Sequence, residues 1–310
     1  MSIANRVVAV LAALSLAVTP IAAQKGGIGA PSAVALEAGG KVFMLRRASG
    51  GDAVAEVIVQ PTGPQAVAKK RVGAVRFEPL VVTGDFEDFL PWIRDALAGK
   101  PPRLDVSIAQ LDLNQKVAHR LVAQRAQLVK IEFPALDASS KDLLDVTLSF
   151  QPERVTSGTA GDSIAGSVAR QKRAGVANFR VTIPGVDCTR VARVAPITVA
   201  FEGVASGVGT GRGKVSEQIT MRVGDLALGV GEAGAAGFVD WAKATLLEGK
   251  TEGLATTATV EVLTQDLKST VLRLDAAGVG LYALRRVQAS GDRMTSYDVS
   301  CFVEQWAVGK

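Results

Sequence analysis

The chain has 310 residues, 48% of them apolar and 5% aromatic, with 35 Lys and Arg against 30 Asp and Glu. That length suits two cores of about 130 to 150 residues, and the apolar fraction excludes bulk disorder. One His and two Cys put the common transition-metal sites out of reach. The short basic clusters at 69–71 and 170–173 lack interleaved aromatics, so no nucleic-acid partner is expected.

Arg6, an apolar run at 7–18, and Thr19 and Pro20 leading to small residues at Ala22 and Ala23 have the three parts of a secretory signal peptide. Twelve apolar residues are too few to span about 30 Å of hydrocarbon. Cleavage after Ala23 is therefore expected, with no membrane insertion of the mature chain.

Alternating apolar residues predict strands at 41–45, 53–59 and 74–82, with Pro61 and Pro64 in the loop between the second and third. Asp85, Glu87 and Asp88 open a helix whose apolar stripe is Phe86, Phe89, Leu90, Ile93 and Leu97, and Gly99 ends it. Further strands are expected near Ser107, Ile131 and Asp145. The segment 156–175, rich in Gly and Ser, reads as a linker, and the glycine-rich stretch 206–214 as a loop.

The second half returns to the same material. Phe89, Trp92, Leu97, Gly99 and Lys100 are matched by Phe238, Trp241, Leu246, Gly249 and Lys250, starting 149 positions later. Residues 131–139 match 282–290, and 145–150 match 298–303, so the offset drifts only slightly. Turns absorb such insertions at little entropic cost. Before the second helix, residues 178–183, 191–203 and 215–223 read as strands. The expected organisation is a signal peptide at 1–23, a module at 24–155, a linker at 156–175 and a second module at 176–310.

Chemical signatures are weak. Residues 244–251 satisfy a relaxed phosphate-loop pattern, but they end a helix instead of following a strand, and a helix C-terminus repels anions. Gly161, Asp162 and Ser163 lie in the linker, and the single His119 has no triad around it. Asp85 with Asp88, and Asp137 with Asp142, are explained by capping and turns. Trp92 and Trp241 read as duplicated packing residues. No catalytic, cofactor-binding or metal-ligating residue is expected. Cys188 and Cys301, both in the second half, form a candidate disulfide if the chain is exported.

The order of elements resembles the phage tail tube family, and the type VI secretion tube protein has a similar fold. That order is a strand beginning at Asn178, a Phe-x-x-Trp helix closed by Gly-Lys, a Val/Leu strand, a Tyr-containing strand and a final Asp298-Val299 strand. The resemblance implies a mainly β (α+β) fold. Each of two tandem modules would hold two packed β-sheets, as a sandwich or half-open barrel, flanked by one helix. It also implies a non-enzymatic subunit that pairs with itself. Six modules closing a ring would require a trimer of two-module chains with pseudo-sixfold symmetry, and rings would stack into a hollow tubule. The export signal moves that assembly to the periplasm or the extracellular space. The alternative is a secreted two-domain binding module, such as a cell-surface or carbohydrate adhesin.

Overall fold

A computed structural model describes residues 33–60, 68–112, 114, 116–158, 173–203, 219–250, 256–288 and 295–309. The signal-peptide segment, the loop at 206–214 and most of the expected linker lie outside these residues.

The first half contributes β1 (Val34–Ala38), β2 (Lys41–Ser49), β3 (Ala53–Gln60), β4 (Lys69–Phe77), β5 (Leu80–Asp85), α1 (Phe86–Leu97), β6 (Arg103–Leu111), β7 (Val117–Phe133), β8 (Leu136–Asp137), β9 (Asp145–Gln151) and β10 (Arg154–Ser157). The second contributes β11 (Phe179–Thr182), β12 (Val191–Val194), β13 (Ile197–Glu202), β14 (Thr220–Val223), β15 (Leu226–Gly231), α2 (Ala236–Ala242), β16 (Thr256–Leu263), β17 (Thr270–Gln288), β18 (Thr295–Phe302) and β19 (Gln305–Val308). The fold is mainly β, as expected. The stretch 74–82 is two strands instead of one: Glu78 and Pro79 lie between β4 and β5, and Pro79 has no N–H to give a ladder. Thr156 and Ser157 belong to β10 and not to a linker, and Arg173–Gly175 is docked, with a bridge between Leu143 and Gly175.

In the first half the pairings β7–β6–β1–β2–β5–β9–β7 close on themselves. Closure satisfies the backbone groups that an open sheet would leave at its edges. The second half follows the same course. The ladders β1–β6, β6–β7, β7–β9, β7–β10, β5–β9, β2–β5 and β3–β4 have counterparts in β11–β16, β16–β17, β17–β18, β17–β19, β15–β18, β12–β15 and β13–β14. The ladder corresponding to β1–β2 is reduced to an isolated bridge, Ile183 to Val186, so this barrel stays partly open.

The irregularities also coincide. Asp105 faces both Gln124 and Arg125, and Thr257 faces both Ala277 and Gly278. Val129 is the extra residue between β7 and β9, as Tyr282 is between β17 and β18. Arg46 is the extra residue in β2, as Ala192 is in β12. Arg125 and Gly278 both take a left-handed backbone, with φ of 47° and 63°. A non-glycine residue holds that conformation at a cost. Here the Arg125 N–H donates to Asp105 Oδ1 at 2.6 Å, and its guanidinium meets Glu153 at 3.3 Å. These ladders set Phe150 against Leu128 and Cys301 against Leu281. Phe150 therefore corresponds to Cys301, two residues from the match to Val303 expected from sequence. Likewise Val129 corresponds to Tyr282, whereas the sequence match set Ile131 there. A two-residue slip keeps every side chain on its face, so alternation alone does not detect it.

One apolar core runs through both halves, from Leu36, Phe89 and Phe150 through Phe133 and Ile197 to Phe238, Val299 and Trp306. Trp306 is fully buried, and its indole N–H donates to the Gly224 carbonyl at 3.0 Å.

Candidate assembly surface

The helices differ in how far they are covered. Asp85 caps α1 by accepting from the Glu87 N–H at 3.1 Å, satisfying a donor that the first turn leaves free. Burial, reinforced by neighbouring Asp85, raises the Asp88 carboxyl above its ordinary range. Phe86, Phe89, Ile93, Ala96 and Leu97 are buried on α1. Phe89 stacks on Trp92 with centroids 5.7 Å apart, and Phe43 and Phe150 meet the Trp92 ring edge-on. In α2, Phe238 and Trp241 are buried, but Leu246 is not the core residue its spacing predicts. It is 46% exposed, against 3% for Leu97. The cause is local: after Ala242 the helix widens into a π turn, Lys243–Leu247, which rotates the register. Gly249 then ends the turn with φ of 66°, as Gly99 ends α1 with φ of 81°. The Lys250 N–H is spent on the Ala244 carbonyl, inside this terminus.

Cys188 and Cys301 are free thiols, the latter buried. Burial pushes Cys188 up to about 11 and Cys301 up to about 12, and Cys188 adds to the rise at Cys301. His119 is exposed on β7, opposite Gln110. Among the described residues no three His, Cys, Asp or Glu side chains group as metal ligands, and no helix is long and apolar enough to cross a membrane.

What the fold does build is a junction between its halves. Strand β13 adds antiparallel to the end of β7, pairing Ile197 with Phe133, Thr198 with Glu132, Val199 with Ile131 and Ala200 with Lys130. Strand β8 adds to β12 through Leu136–Val194 and Asp137–Arg193. Phe133, Leu136, Leu144, Val194, Ile197 and Val199 are all buried there. Helix α1 lies against β19. Arg173 clamps the lead into the second half, giving one hydrogen bond to Asp85 at 2.8 Å and another to Asp145, which also receives Arg46 at 2.7 Å. Burial disfavours the Arg173 charge, but the two carboxylates more than offset it and its pKa rises.

Among the described residues, no strand covers the surfaces that correspond to this junction elsewhere in the fold. The β3–β4 hairpin forms a sheet of its own, with Val57, Val59, Val72 and Val75 exposed. On the other end Val239, Leu246 and Leu247 of the α2 region and Tyr282 and Val287 of β17 are exposed. Sequence reasoning placed the helix pair but not these edges. The signal lay in the valines of 53–59, whose strand was expected without any indication that both its faces stay wet.

No family model matches the chain, and no curated protein matches it. Solved structures do. The chain is similar to the sheath–tube complex of an extracellular contractile injection system in its extended state, with 15% identity and a TM-score of 0.37 over 41% of this chain and 88% of that one. It is similar to the cap that terminates the anti-feeding prophage tube, with 18% identity and a TM-score of 0.38 over 47% of this chain and all of that one. It is similar to Hcp1 from Flavobacterium johnsoniae, with 18% identity and a TM-score of 0.30 over 42% of this chain and 99% of that one. Each of these tail-tube and Hcp-like chains is matched nearly whole by less than half of this one.

Proposed function

We propose that the chain is a secreted, non-enzymatic structural subunit made of one module twice, at 24–155 and 176–310, after a signal peptide at 1–23. Three chains close a ring with pseudo-sixfold symmetry, and rings stack into a hollow tubule or filament outside the cytoplasm. The observation that carries this reading is the coincidence of ladders and irregularities between the halves, down to the paired left-handed residues Arg125 and Gly278. Two unrelated β folds would share alternation, but not the positions of three bulges. Two copies of one module supply pseudo-symmetry, and assembly uses symmetry where catalysis needs one asymmetric site. The proposal includes pairing of Cys188 with Cys301 in an oxidising compartment. Their raised pKa values make thiolate scarce once the fold has closed, so pairing belongs to folding and precedes burial.

Electron microscopy of the concentrated mature chain tests the assembly. Rings in end view and stacked tubules in side view are expected. Dispersed single particles at every concentration would favour the two-domain adhesin instead.

A further inference from the structure

The junction inside the chain is a strand docked on an edge, and each partner exists a second time without its mate. Strand β13 is docked on β7, whereas among the described strands β3, its counterpart, pairs only with β4. The end of β7 carries β9 on one side and β13 on the other. The corresponding end of β17 carries β18 on one side, and no described strand covers the other. An open strand edge presents unpaired N–H and C=O groups and templates pairing with another chain.

The matched ladders carry the junction's register across. Val199 pairs with Val223 as Ala53 pairs with Phe77, so Val199 corresponds to Ala53. Leu128 faces Phe150 as Leu281 faces Cys301, so Ile131 corresponds to Leu284. We infer that a second copy of this chain docks head to tail, with β3 of one copy antiparallel to the end of β17 of the next. Ala53 then lies opposite Leu284 and Val54 opposite Ala283. Asp52 meets Arg285, in the place where Thr198 meets Glu132 inside the chain. This rests on the self-assembly reading above and names the surface that reading needs.

Three observations beyond topology favour this occupant. The facing charges are opposite: Asp52 and Arg285 are both exposed, and neither has an ion pair among the described residues. Leu284 is only partly buried, whereas its counterpart Ile131, covered by β13, is fully buried. Helix α1 lies against β19, whereas Val239 of α2 and Leu246 of the π turn that follows it are exposed. The same docking would set α2 beside β10 of the next copy. Gly51, with φ of 82°, turns the chain away just before Asp52, so the new ladder is short. A head-to-tail contact of this kind is heterologous, and it closes a ring when its rotation divides a full turn.

The test uses the mature chain with Asp52→Arg, Arg285→Asp and the two combined. Sedimentation velocity reads self-association, and thermal unfolding verifies the fold. Each single variant is expected to weaken association at least about tenfold, since like charges then face each other, and the double variant to recover it to within about threefold. A second readout does not depend on charge. Chains bearing only Ala53→Cys and chains bearing only Leu284→Cys, with Cys188 and Cys301 replaced by Ala, are mixed and oxidised. Covalent dimers are expected in the mixture, and Val57→Cys mixed with Leu284→Cys should give none. A parent that assembles while the single variants associate equally well, or while the in-register pair fails to link, overturns this interface and leaves the tubule reading standing. A parent that never associates overturns both.

Discussion

Most of what single residues do here is packing, and two of them report on it chemically. Cys188 and Cys301 have pKa values pushed from 9.0 to about 11 and about 12, chiefly by burial. A thiol whose folded pKa is raised adds stability that is fully present below pH 9 and is lost as pH climbs toward 11 to 12, where the unfolded chain has already released its proton. The reduced protein should therefore show a flat melting temperature from pH 7 to 9 and a falling one above it. Alkylation of the reduced chain at pH 8 should leave Cys301 unmodified until denaturant is added, while the half-buried Cys188 reacts first. Rapid labelling of Cys301 in the folded chain would contradict its burial. The sequence could name these residues, yet it could not show that Cys301 stands in the place of Phe150. The Trp92 cluster of Phe43, Phe89 and Phe150 has no sequence signature beyond scattered aromatics.

At the scale of elements, the helix pair was the most legible feature, because a 3.6-residue stripe with an acidic start and a glycine end is a local signal. Its failure at Leu246 is not legible, since no Gly or Pro within Lys243–Leu247 marks the π turn there. The consequence is measurable. Leu97→Ala should cost about 2–5 kcal/mol in urea unfolding, as for other buried leucines, whereas Leu246→Ala should stay within about 0.5 kcal/mol, as at most surface sites. Equal losses in the two variants would contradict the described difference in burial. The long strands β7 and β17 were read only in part, for a definite reason. Bulges at Arg125 and Val129, and at Gly278 and Tyr282, shift the phase of alternation within one strand, so no single period spans it. The two-residue offset between the halves toward their ends is hidden for another reason, since a slip of two leaves the alternation unchanged.

At the scale of the whole molecule, the order of elements and its resemblance to the tail tube family made the mainly β fold legible. The junction was beyond its reach: β13 and the end of β7 lie far apart in the chain, and nothing local marks either as the other's partner. The structure shows β13 docked on the end of β7, and among the described strands none covers the corresponding end of β17. In the proposed assembly another copy fills that edge. The mass of the mature protein in solution tests this most directly, by native mass spectrometry or sedimentation equilibrium across a wide concentration range. The account predicts a species of three chains, with larger multiples of three as rings stack. A single-chain species persisting at all concentrations, with the β3–β4 hairpin intact, would contradict it.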